Sequence, residues 1–214
     1  MKKLQIALDV FTTKEALEIL EEVADYVDYV EVGTPLCIAE GASATREVKK
    51  HFPDKIVFSD IKVMDGGSDC PRSVIDAGCD MFSVLATTDD NTMREAIKLG
   101  HDNGVMVLAD FCNVSNMSKR ALELDSFRAD YLCCHVGYGR QEFGANPVEE
   151  LCQLEVANTP KAIAGGIKLS TFQQALESSA EDIIVGGGIV RADNRIAVAK
   201  EMRKMMDAAN GKEA

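Results

Sequence analysis

In the segment Ser59-Asp60-Ile61-Lys62-Val63-Met64-Asp65, two carboxylates flank an ammonium within a short stretch. The segment follows Lys55-Ile56-Val57-Phe58, an apolar run that reads as a buried strand. The charges are therefore expected where a strand gives way to a loop. Charged groups are rarely buried without partners. Two readings follow: an ion-pair network at a strand end, or a site that binds a cation or a phosphorylated molecule and moves protons. With Asp60 and Asp65 on either side, Lys62 is expected to hold its proton tightly. That favours a fixed positive charge that stabilises an anionic intermediate over a nucleophilic amine.

Other chemistry-bearing residues also follow short apolar runs. They are Asp9, Glu31 before Val32-Gly33-Thr34-Pro35, Asp110, His135, Gly165-Gly166 and Gly186-Gly187-Gly188. Glu31 and Asp60, expected at the same level of neighbouring strands, could share a hard divalent cation, with Mg²⁺ favoured by oxygen ligands. The plainer alternative is that Glu31 pairs with Lys62. His135 ends an apolar run, which suits either a general acid/base or a satisfied structural imidazole. His51 and His101 fall near helix ends and read as solvated. The glycine groups at 165–166 and 187–188 suit close backbone approach to a phosphate, or simply tight left-handed turns.

These residues need a scaffold that brings distant segments to one place. Apolar runs recur at Leu4–Leu8, Tyr29–Val32, Ile56–Phe58, Met81–Leu85, Val105–Ala109, Tyr131–Cys134, Ala162–Ala164 and Ile183–Val185. Their spacing is that of one strand–helix unit. The runs are continuously apolar, as parallel strands covered on both faces require. Amphipathic segments lie between them: Thr13–Asp25, Ser43–His51, Asp69–Ala77, Asn91–Asn103, Asn116–Leu124, Pro147–Leu154, Ser170–Ser178 and Asp193–Ala209. Thr12 or Thr13 is the expected N-cap of the first, and Gly78 and Gly104 are expected helix stops. Eight such units predict a single-domain (β/α)8 TIM barrel over residues 1–209, with 210–214 as a frayed tail. A doubly wound open sheet is the alternative. It is disfavoured because no glycine-rich dinucleotide fingerprint follows the first strand.

The 214 residues carry a net charge of -12, which argues against nucleic acid as a partner. No apolar run approaches the roughly 20 residues of a membrane span. The seven cysteines have no metal-type or disulfide-framework spacing and read as reduced, buried thiols. Met1-Lys2-Lys3-Leu4 shows no secretory pattern, so a cytoplasmic location is expected.

Read together, the motifs have a family resemblance. They are Ala7-Leu8-Asp9, Glu31-Val32-Gly33-Thr34-Pro35-Leu36, Glu40-Gly41, Asp60 to Gly67, His135-Val136-Gly137-Tyr138, Gln141 with Gly144, Ala164-Gly165-Gly166-Ile167 and Val185 to Ile189. In this order they resemble the orotidine-5′-phosphate decarboxylase superfamily. The resemblance is to its branch of 3-hexulose-6-phosphate synthases and 3-keto-L-gulonate-6-phosphate decarboxylases.

The resemblance implies Mg²⁺ on Glu31 and Asp60, Lys62 beside the substrate, and His135 as the proton-transfer residue. It implies Asp9 and Asp110 on substrate hydroxyls, and Gly165, Gly166, Gly187 and Gly188 around a phosphate. It also implies a homodimer in which Asp65 completes the neighbouring subunit's site. The implied reaction joins formaldehyde to D-ribulose 5-phosphate through an enediolate. A decarboxylase on a related sugar phosphate is the second reading, and a non-catalytic sugar-phosphate binder the third. Tyr138 stands where the decarboxylases have an arginine. The synthases usually have Asp after this Tyr, whereas Gly139 and Arg140 follow Tyr138 here, and Arg140 is a candidate substitute for that arginine.

Overall fold

The computed structural model describes residues 1–211. Its eight parallel strands close in sequence order into a barrel. In chain order the elements are β1 (Lys3–Leu8), α1 (Thr13–Val23), β2 (Tyr29–Val32), α2 (Thr34–Glu40), α3 (Ala42–His51), β3 (Ile56–Val63), α4 (Arg72–Ile75), β4 (Met81–Leu85), α5 (Asp90–Asp102) and β5 (Met106–Asp110). There follow α6 (Met117–Phe127), β6 (Tyr131–His135), α7 (Tyr138–Gln141), α8 (Pro147–Glu150), β7 (Lys161–Ala164), α9 (Phe172–Glu177), β8 (Asp182–Val185), α10 (Gly187–Val190) and α11 (Arg195–Ala209).

Strand pleat divides each run between two cores. Ala7, Tyr29, Phe58, Met81, Leu108, Cys133, Ala162 and Ile184 fill the barrel interior. Leu4, Ile6, Leu8, Val30, Val32, Val57, Val107 and Ile183 belong to the larger core shared with the helices. In α5 the buried stripe Met93, Ala96, Ile97, Gly100 has the spacing of one helical face. Side-chain caps set the helix starts. Thr12 accepts from Glu15 N at 3.2 Å, Asp89 from Asn91 N at 2.9 Å, and Asn194 from Ala197 N at 2.9 Å. Gly78 and Gly104 have φ of 92° and 69°, as expected of helix stops.

Three expectations change. First, β3 does not stop at Phe58 but runs through the charged segment to Val63. Asp60 and Lys62 therefore belong to a strand and not to the loop after it. Second, the helix expected over Asp69–Ala77 reduces to Arg72–Ile75. Pro71, which has no N–H to donate, stands at its N-cap. Third, the tail is tied down at Asn210. Its side chain accepts from Lys2 N at 2.8 Å and donates to Lys2 O at 3.0 Å. Residues 212–214 of that expected tail lie outside the described residues.

Among the described residues, no helix is long and apolar enough to cross a membrane. All seven cysteines, each a described residue, carry free thiols.

Candidate active site

The C-terminal ends of the strands open into a cavity of about 890 Å³. Asp9, Glu31, Asp60, Lys62, Asp110, His135, Gly165, Gly166, Gly187 and Gly188 all line it. Ten of the eleven expected site residues therefore meet in one place, as a barrel mouth predicts. Asp65 is the exception. It is exposed, and its carboxylate accepts from the adjacent Gly66 N at 2.7 Å. The partner of Lys62 expected at Asp65 is instead Asp110.

Lys62 is the hub of the charged cluster. Its Nζ lies 2.9 Å from Asp60 Oδ2 and 2.7 Å from Asp110 Oδ2. Burial opposes the ammonium charge, yet the two carboxylates hold its pKa well above the ordinary lysine value. Asp110 is buried and carries three attachments. Besides Lys62 it meets His135 Nδ1 at 2.9 Å, and its Oδ1 accepts from Cys112 N at 2.8 Å. Burial would raise the pKa of Asp110, but His135 and Lys62 outweigh it and hold the carboxyl below its usual range. An ionised Asp110 fixes the His135 tautomer: Nδ1 carries the proton toward the carboxylate, leaving the Nε2 lone pair for a reacting group.

Glu31 has a different environment. It is buried and pairs in register with Phe58, two residues before Asp60, so the two carboxylates are offset by one inward layer. The expected alternative, an ion pair with Lys62, does not form. Gln5 Nε2 donates to Glu31 Oε2 at 2.6 Å instead. Burial first, then the charges of Asp60 and Asp9, push the Glu31 pKa well above its usual value. Two crowded carboxylates with a third nearby suit a hard divalent cation, which would relieve that repulsion. Among the described residues no group of three or more His, Cys, Asp or Glu side chains could hold a metal. Glu31 and Asp60 offer two oxygen ligands, so a cation held there would need water or substrate oxygens to complete its shell.

The glycine groups form the opposite wall. Gly165 has φ 103°, and a Cβ there would collide with Val136 O. A Cβ on Gly188 would strike Ile167 O, so the loops after β7 and β8 touch with no room for a side chain. Arg191 lies over Gly187 and also lines the cavity, as does Lys168. These two cations were not anticipated. The signal was a positive charge within four residues of each glycine group. Tyr138 closes the rim, donating to Asp9 Oδ2 at 2.9 Å.

Three further polar residues were missed: Gln5, Ser83 and Thr34. Thr34 Oγ1 donates to Asp60 Oδ2 at 2.6 Å, and Ser83 Oγ to Asp60 Oδ1 at 2.7 Å. Gln5 and Ser83 betray themselves only as polar residues at inward positions of otherwise apolar strands. Arg140 does not line the cavity. It makes a two-pronged pair with Glu150, at 2.9 and 2.5 Å, on the far side of α7. His51 and His101 are exposed, as expected.

The chain is similar to known proteins over nearly its whole length. The model of the orotidine 5′-phosphate decarboxylase / HUMPS family matches residues 2–202. A 3-hexulose-6-phosphate synthase of Bacillus subtilis is 39% identical over 206 residues, covering 95% of this chain and 98% of its own. A crystal structure of a 3-hexulose-6-phosphate synthase superposes with a TM-score of 0.90 at 37% identity, over 94% of this chain and 98% of that one. The 3-hexulose-6-phosphate synthase of Salmonella typhimurium superposes with a TM-score of 0.94 at 33% identity, over 97% and 99% of the two chains.

Proposed function

Because the chain belongs to the orotidine 5′-phosphate decarboxylase / HUMPS family, we propose that it is an aldehyde-lyase of the 3-hexulose-6-phosphate synthase type. Its reaction joins formaldehyde to C1 of D-ribulose 5-phosphate and yields D-arabino-hex-3-ulose 6-phosphate. The observation that carries this reading is the chain Lys62–Asp110–His135 beside Glu31 and Asp60. It unites a fixed cation, an oriented base and a carboxylate pair in one cavity.

The residues divide the work as follows. The loops holding Gly165, Gly166, Gly187 and Gly188, with Arg191 and Lys168, receive the phosphate. Asp9 and the rim around Tyr138 meet the sugar hydroxyls. His135 Nε2 removes a proton from C1, next to the ketone, and Asp110 stabilises the imidazolium that results. Lys62, permanently charged, balances the negative charge of the enediolate. C1 then bonds to the formaldehyde carbon, and His135 returns its proton to the formaldehyde oxygen. Glu31 and Asp60 would hold Mg²⁺, which when bound would supply positive charge to the developing anion. A Schiff-base aldolase is disfavoured because Asp60 and Asp110 keep the Lys62 amine protonated.

We also propose a homodimer. Asp65 is exposed on the rim after β3. Phe11, Ile38, Met64 and Phe143 are exposed apolar side chains following β1, β2, β3 and β6 on that same rim. Such a rim suits an interface with a second copy.

The decarboxylase reading needs a cation where Tyr138 stands. Arg140, the candidate substitute, is held by Glu150 outside the cavity, which favours the synthase. Two assays on purified protein with Mg²⁺ test this. One follows formaldehyde loss with ribulose 5-phosphate, and the other follows CO₂ release from 3-keto-L-gulonate 6-phosphate. Dominant formaldehyde consumption, abolished by EDTA, is expected. Dominant CO₂ release would replace the synthase by the decarboxylase.

A further inference from the structure

Lys62 has a left-handed backbone, with φ 44°. A lysine in a strand seldom adopts that conformation, and it persists only where neighbours impose it. The cause lies in the pairing of β3 with β4. The register runs Phe58↔Met81 and Ser59↔Phe82, then resumes at Val63↔Val84. Asp60, Ile61 and Lys62 thus stand against Ser83 alone, so β3 bulges at its functional residues.

Ser83 is buried and faces the bulge with its hydroxyl. That hydroxyl accepts from Lys62 N at 2.9 Å and donates to Asp60 Oδ1 at 2.7 Å. One side chain therefore satisfies the N–H of the strained residue and orients the carboxylate that pairs with its ammonium. The donor and acceptor capacity of one hydroxyl suits both roles at once.

We propose that Ser83 is a positioning residue. Its hydroxyl pins the β3 bulge so that the Lys62 ammonium and the Asp60 carboxylate point into the cavity together. The catalytic part of this inference rests on the function proposed above, but the pinning itself does not. Without the hydroxyl, the Lys62 N–H loses this bond. The bulge then relaxes, and the ammonium drifts from Asp110.

Three variants test this: Ser83→Ala, Ser83→Val and Ser83→Thr. Threonine keeps the hydroxyl, while valine has the same shape without it. One readout is kcat and KM for ribulose 5-phosphate with formaldehyde. The other is acylation of the Lys62 amine by an N-hydroxysuccinimide ester, followed by peptide mass spectrometry, which needs no turnover. In the alanine and valine variants kcat falls roughly 10–100-fold and KM changes about 3-fold or less, the pattern of a displaced catalytic group. Lys62 acylation accelerates in both, and threonine recovers both readouts.

Wild-type kcat and Lys62 reactivity in the alanine and valine variants would overturn the proposal. So would a threonine variant as impaired as valine. A wild-type protein that turns over neither substrate would sink the proposed function, while the acylation pattern would still decide the role of Ser83.

Discussion

At the scale of single residues, this barrel places its charges by two opposite rules. Lys62, Asp110 and His135 lie in one hydrogen-bonded chain, in which Lys62 and Asp110 each favour the charged form of the other. Asp182 has no such help. It is the first residue of β8, its carboxylate oxygens are buried, and neither has a hydrogen-bond partner among the described residues. Burial first, and then the charge of Asp28, raise its pKa well above the ordinary carboxylate value, while Lys3 opposes them. The folded protein therefore holds this proton more tightly than the unfolded chain does. Stability from Asp182 is fully present below the unfolded value of about 4 and declines as pH rises toward the folded value. Asp182→Asn should melt above wild type at pH 8, by roughly 2–4 °C for each kcal/mol relieved. The gap should narrow as pH falls toward 5. A wild-type pH slope retained unchanged in Asp182→Asn melting curves would contradict this. The sequence could not announce Asp182, since an acid before an apolar run looks like a solvated strand start. Lys62, by contrast, was legible, because its acidic neighbours are adjacent in sequence. Its second partner, Asp110, was legible only as an isolated strand-end acid. That the two meet is a property of the barrel.

Among the elements, periodicity located all eight strands because each is covered on both faces and so reads as an apolar run. The long amphipathic helices were found by the period of their single buried face. The elements that shape the site were not. The helix α2 begins at Thr34-Pro35 directly after a glycine N-cap, and α7 and α10 are four-residue helices that also follow glycine N-caps. Such segments carry turn signals and no apolar stripe, so they read as loops. They exist because the barrel mouth needs its backbone brought close to the cavity. The extension of β3 was missed for a related reason. Asp60 and Lys62 interrupt the apolar run, yet a strand end at a barrel mouth tolerates polar side chains that face the cavity. The bulge opposite Ser83 has no sequence signature at all, because it depends on pairing between strands.

For the whole molecule, the closed barrel turns ten scattered residues into one cavity and leaves Asp65 on the rim. If the site is completed between two copies, an Asp65→Ala variant and a His135→Ala variant, each inactive alone, should restore activity when mixed and allowed to exchange subunits. Half of the dimers would then be mixed, each with one intact site, giving about a quarter of wild-type activity. A mixture as inactive as its components would rule out the shared site. The central claim, however, concerns proton removal from carbon by His135. The most direct measurement is exchange of the C1 hydrogen of ribulose 5-phosphate with solvent, followed by proton NMR in D₂O with Mg²⁺ and without formaldehyde. The account predicts exchange at one C1 hydrogen in the wild-type protein and its loss in His135→Asn. No exchange in the wild type, or equal exchange in both proteins, would contradict it.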